Sequence, residues 1–251
     1  MNIIFVLTVI LYFLMKRIGG KRGMKSFAAL LINFFILFIS IILIEHNVNP
    51  ILVTITAGVM ISCVTLFFIN KINDKTIAAL IAVLITLALL TVIIYAVGIS
   101  SKIQGFGEEE YDEISSYNLY VHLDFVKIAV CTMIMGLIGA VIDAAISISS
   151  AMNEVYVNNP SLTLYKLFKS GMNIGRDILG TTTNTLYFAF IGGYLALLLW
   201  FKDLSYSLGE MINSKVFAAE MLQILCSGFG VTLIIPISAL VTAYLLVNKK
   251  G

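Results

Sequence analysis

Asp143 lies in the second half of an apolar stretch that runs over about 126 to 149. A carboxylate at such a depth costs at least ~2.5 kcal/mol on insertion scales, so it is a functional candidate by default. Ser147, Ser150 and Glu154 follow at spacings of 4, 7 and 11, and eleven helical residues return to within about 20° of the start, so the four form one polar stripe. A carboxyl group with no counter-charge in an apolar setting favours its neutral form. The chemistry this suggests is proton gain and loss during a conformational cycle; the alternative is a protonated acid that joins helices by hydrogen bonds. Upstream, Gly136, Gly139 and Ala140 make a smooth surface that another backbone can approach closely, so Asp143 is expected to face protein rather than lipid. Arg176, Asp177, Thr181, Thr182, Thr183 and Asn184, around Gly180, form a second polar cluster able to hydrogen-bond the stripe. Glu220 and Gln223, with Ser227 and Gly230, share a third helix face. Glu220 reads equally well as an interfacial acid at a helix N-terminus or as part of a pathway. Gly228 and Gly230 are helix-packing and bending points.

Other chemistry finds little support. No nucleophile elbow, paired-histidine zinc helix or phosphate loop is present, so no enzyme is expected. An intramembrane aspartyl protease would need a second acid at the depth of Asp143. Cys63, Cys131 and Cys226 lie far apart inside apolar runs, which supports neither a disulfide framework nor a metal site. No cofactor or metal is expected. Glu108, Glu109, Glu110, Asp112, Glu113, His122 and Asp124 could gather a divalent cation, but an acidic loop held on one side of a membrane is the simpler reading.

These residues must be positioned by membrane-spanning helices. Of 251 residues, 60% are hydrophobic and 12% charged, and mean hydropathy is +1.01, against about a quarter charged in soluble domains. A soluble domain and a nucleic-acid partner are excluded; the lipid bilayer is the solvent. The expected architecture is all-α, a single integral domain over 1 to 251. Its seven spans run at about 2 to 15, 26 to 44, 51 to 70, 76 to 98, 126 to 149, 180 to 201 and 217 to 247. The last run is too long for one perpendicular span, and Gly228, Gly230 and Pro236 predict a bend or break. Residues 155 to 178 read as an elbow, with Ser161 as N-cap and Leu162, Tyr165 and Phe168 on the apolar face of an interfacial helix.

Basic residues orient the chain. Lys16, Arg17, Lys21, Arg22, Lys25, Lys71, Lys75, Lys166, Lys169, Arg176, Lys249 and Lys250 fall on one side of the seven-span scheme, and only Lys102, Lys127, Lys202 and Lys215 on the other. This predicts the N-terminus outside and the C-terminus inside. It also leaves no Lys or Arg at the depth of Asp143.

The segments GAVIDAAISISSAMNEV (139 to 155), GRDILGTTTNTLYFAFIGG (175 to 193) and GFGVTLIIPISALVTA (228 to 243) resemble the YibE/F-like family of bacterial multi-span membrane proteins, the short, YibF-like type in particular. The resemblance implies a bacterial cytoplasmic-membrane location and a longer YibE-like companion. More distantly, the region is similar to the fourth to sixth spans of one half of a resistance-nodulation-division transporter, the superfamily that includes SecD and SecF. There a glycine-flanked Asp is followed eleven residues on by Glu, as Asp143 is by Glu154, and the next span opens rich in Thr. The large outer domain of those transporters has no counterpart, since only Glu45 to Pro50 connect the second and third expected spans. The expected function is a permease subunit, proton-coupled and of unassigned substrate, working with a YibE-like chain or as a homo-oligomer. The alternative is a non-transporting accessory or assembly subunit.

Overall fold

The computed structural model describes residues 3–103, 105, 107 and 124–248. Helices are the only regular secondary structure among them, as lipid demands of a chain that must satisfy its backbone polar groups internally. The acidic run Glu108 to Glu113, His122, and the basic Lys249 and Lys250 lie outside the described residues.

Helix α1 (Ile3–Glu45) absorbs the first two expected spans and the loop between them. It is not straight. Gly20 has φ +54, a left-handed conformation that only glycine adopts without strain, and the chain turns back there. The Tyr12 and Phe27 rings lie 5.2 Å apart, although fifteen helical residues would separate them by about 22 Å. The Met15 carbonyl occupies the place where a Cβ on Gly23 would stand. α1 is therefore two limbs hinged at one residue, the first of them near the lower limit of ~17–25 residues for a span.

Helix α2 (Pro50–Cys63) starts with proline at its first turn and Asn49 as cap, Asn49 Oδ1 accepting from Ile51 N at 3.1 Å, and continues as a π-helical turn over Val64–Phe68. Asn33 of α1 donates to Thr65 in that turn at 3.1 Å. α3 (Asp74–Ser101) opens with a reciprocal capping box between Asn73 and Thr76 and ends at left-handed Lys102. α4 (Phe125–Asn158) is capped by Asp124, whose carboxylate accepts from Val126 N and Lys127 N. The Lys127 side chain pairs with it at 3.1 Å, and this hydrogen bond is the main reason that the Asp124 carboxyl is held below the usual carboxylate range.

α5 (Leu164–Gly193) corrects the elbow. Thr163, rather than Ser161, is the cap, and the helix expected to lie in the interface is continuous with the sixth span. Tyr165 is 71% exposed, while Leu167 is fully buried on a face continued by Gly171 and Gly175. Small residues on that side let it dock against α4 and α8, so it does not need lipid to cover an apolar face. α5 ends at Tyr194, and the short α6 (Leu195–Asp203) leaves at 48°; the sixth span therefore ends earlier than 201. α7 (Leu208–Asn213) is a further short helix, closed by its own Ser207–Glu210 capping box.

α8 (Lys215–Asn248) keeps Pro236 inside one unbroken helix. Proline removes one backbone hydrogen bond, a loss that membrane helices tolerate where neighbours re-satisfy the freed group. The glycines expected to break α8 instead admit neighbouring side chains, Leu90 and Val141 coming within 3.1 and 3.4 Å of a Cβ position on Gly230. Five helices are long and apolar enough to cross a membrane, or six if α5 and α6 together form a span. This differs from seven separate runs because the first two share α1.

The core is the mutual packing of α3, α4 and α8, through Leu90, Ile94, Ile134, Leu137, Ile142 and Ile234, all essentially inaccessible. A second cluster joins the far halves of α4 and α8 to α5 through Ile148, Met152, Leu167 and Ala239. Helix directions alternate. A cleft lined by Val48, Asn49, Asp124 and Lys127 puts the start of α2 and the start of α4 at one end of the bundle; another, lined by Asp74, Tyr244 and Asn248, puts the start of α3 and the end of α8 at the opposite end.

The hinge gives a test. Gly23→Ala places a methyl group on the Met15 carbonyl and should destabilise the protein by roughly 1–3 kcal/mol, the cost of overpacking. Gly19→Ala, with open space around it, should be neutral. Thermal melting of both variants in detergent, followed by monodispersity, separates them; equal melting would remove the hinge as a constraint.

Candidate functional site

The middle of α4 carries the site. Its buried positions, among them Leu137, Val141, Ala144, Ala145 and Ile148, face α3 and α8, which turns the opposite side outward. Gly136, Gly139, Asp143, Ser147 and Glu154 are exposed on that side, with Ser150 partly so. These residues share one side of the helix; the surroundings of Asp143 differ from expectation. The Asp143 side chain is exposed, no hydrogen bond or ion pair reaches its carboxyl among the described residues, and a Cβ on neighbouring Gly139 would meet nothing within 4 Å. The described residues do not supply the protein surface expected to cover Asp143. Gly136 is the exception on this face, because the Gln223 amide comes within 2.6 Å of its Cβ position.

The cluster on α5 is placed beside the stripe in level but is not bonded to it. Ser238 of α8 donates to the Ala145 carbonyl of α4 at 3.2 Å, and Ile235, one turn earlier in α8, packs on Gly175 of α5. Arg176 therefore stands within about one helical turn of the level of Asp143, which overturns the expectation of no basic residue at that depth. The error came from starting the sixth span at 180, whereas α5 is already inside the bundle at Leu167. Arg176, Asp177, Thr181 and Asn184 are exposed, and Thr182 and Thr183 are half-buried. The Thr181 hydroxyl bonds back to the Ile178 carbonyl at 3.0 Å and that of Thr185 to Thr181 at 2.9 Å. Thr183 points its methyl group at Gly228, and its buried hydroxyl has no partner.

A fully buried polar contact between α4 and α8 was not anticipated from the sequence. Ser149 bonds Thr242 at 2.8 Å and Ser238 at 3.2 Å, and all three are fully buried. The signal was present: Ser238 and Thr242 are four apart, and Ser149 lies about 160° around α4 from Ser147 and about 100° from Ser150, which puts it off the stripe and toward the bundle. On the third face Tyr194 donates to Glu220 Oε1 at 2.7 Å, so Glu220 is joined to the end of α5. Cys131 and Cys226 are buried and Cys63 half-buried, all as free thiols, and no cluster of metal-ligating side chains occurs among the described residues.

Removing the Ser149 lock should cost little but specifically. Hydrogen bonds between membrane helices average about 0.6 kcal/mol and reach about 1.7, so Ser149→Ala and Thr242→Val should each destabilise within that range. The double variant should cost less than the sum, measured by steric trapping or denaturant titration; strict additivity would show that the two hydroxyls do not interact.

The sequence pattern of the family described as YibE/F-like protein matches residues 7–248, a stretch that takes in all the helices described above except the first four residues of α1. Neither a curated protein nor a solved structure matches the chain. The broken first helix, the α3–α4–α8 core and the acid-bearing α4 are therefore features of a chain that belongs to the YibE/F-like family.

Proposed function

We propose that this protein is a permease subunit of the bacterial cytoplasmic membrane, not an enzyme, which moves protons at Asp143 and is completed by a second chain, either a YibE-like companion or another copy of itself. The observation that carries the proposal is the unpartnered Asp143, midway along a 34-residue helix and exposed among the described residues. A carboxyl left against lipid at that depth is costly; a partner that covers it removes the cost and gives the proton a defined route. The similarity of 139 to 193 to half of a resistance-nodulation-division transporter supports the same reading, since such halves work in pairs. The alternation of basic residues supports an outside N-terminus, which runs α4 from outside to inside and places Glu154 at the cytoplasmic mouth. Thr182, Thr183 and Asn184 then line the approach from α5, and Arg176, at the level of Asp143, is the charge that a second chain can bring to it.

The open space at Gly139 also favours an accessory role in which this face merely docks. The two readings separate in proteoliposomes that contain the purified protein with whatever companion copurifies, an internal pH-sensitive dye and an imposed pH gradient. The permease reading predicts dissipation faster than in empty vesicles and, with insertion normal, a fall of about a hundredfold in Asp143→Asn, the usual scale for losing a proton-transfer group. An unchanged rate in that variant, or a wild-type rate equal to empty vesicles, rejects proton movement. Gly139→Leu should break copurification in either case.

A further inference from the structure

Two chambers meet at Gly136. The larger, about 660 Å³, lies between α1, α2 and α4, and its walls are mainly apolar, with Leu37, Ile41, Ile44, Ile128 and Met135. This is within the ~300–1,000 Å³ of ordinary ligand pockets. The smaller, about 320 Å³, lies between α4, α5 and α8, and its walls are more polar, with Tyr194, Glu220 and Ser227 beside Phe190. Thr132, Gly136 and Gln223 line both. The Gln223 side chain of α8 lies against Gly136, and its amide has no hydrogen-bond partner among the described residues. Glycine at 136 leaves room for that amide where the two chambers adjoin.

We propose that the joined chambers bind a single-chain amphiphile with a cationic head. Its tail fills the α1–α2–α4 chamber, its head lies against the Glu220 carboxylate, and the Gln223 amide bonds the polar junction between them. Charge decides the head: the carboxylates that line the chambers are Glu45 in the larger and Glu220 in the smaller, and no basic side chain lines either; Glu220 is the one set among the more polar walls, beside Tyr194 and Ser227. Size decides the tail, because the larger chamber is walled by apolar side chains on three helices. The site deepens the permease reading by naming a cargo class, but its test is a binding measurement that holds whether or not protons move.

The full chain in phosphatidylcholine nanodiscs is labelled with a photoreactive hexadecylamine, in parallel with the alcohol and carboxylic acid of the same chain, each corrected for partition into empty discs. Saturable labelling is expected on the peptides around Ile41 and Ile128, at about tenfold lower concentration for the amine than for the acid, which corresponds to one good polar contact. Glu220→Gln should abolish the preference for the amine while retaining tail labelling. Ile41→Trp should suppress labelling by all three probes, with helicity and monodispersity checked in both variants. Labelling that does not saturate, that falls equally on lipid-facing Phe34 and Leu89, or that keeps its head preference in Glu220→Gln overturns the site. Displacement by added phosphatidylethanolamine would reject the single-chain occupant in favour of a two-chain bilayer lipid. Failure of binding with proton flux intact rejects this proposal alone.

Discussion

Hydrocarbon gives two helices no hydrophobic reason to associate, since lipid tails solvate leucine as well as leucine does. Association then depends on close approach and on polar contacts, and in this chain both converge on α8. Gly230 admits Leu90 and Val141, Gly175 admits Ile235, and Gly171 admits Met152 and Ala239, so α3, α4 and α5 all close on one helix. The Ser149–Ser238–Thr242 lock fixes the register of α4 on α8. With that register fixed, one side of α4 is buried along its length and the other must face outward, and Asp143 is on the outward side. The exposure of the acid is thus a consequence of how α8 is packed, not an independent feature.

The sequence made the compartment and the helical class plain, because a 60% hydrophobic chain with 12% charge has few other solutions. The stripe on α4 was equally readable, as the spacing of Asp143, Ser147 and Glu154 is a property of one helix. What was not readable required contacts between helices. A hydropathy run cannot show that Gly20 turns the chain with helix on both sides, since ten residues with five basic groups look like a loop whether or not they are helical. Nor can it show that the Lys166–Arg176 stretch belongs to the bundle: its charges suggest an interface, while its buried side is made of Leu167, Gly171 and Gly175. Pro236 illustrates the reverse, a strong local signal for a break that tertiary packing overrode.

The misplaced start of the sixth span had the largest effect on the functional reading. Once α5 is inside the bundle from Leu167, Arg176 stands near the level of Asp143, with Asp177 beside it; all three are exposed, and no ion pair joins them among the described residues. The second chain proposed above would, in the same orientation, bring its own groups to that level without any change in depth.

The central claim is that the exposed face of α4 is covered by protein in the membrane. A photoreactive amino acid at Ser147, one turn from Asp143 on the same face, tests it directly when irradiated in intact membranes. The account predicts a discrete adduct of this chain with a second polypeptide, lost when the photoreactive residue is moved to lipid-facing Leu89. Adducts with lipid alone at position 147 would contradict it.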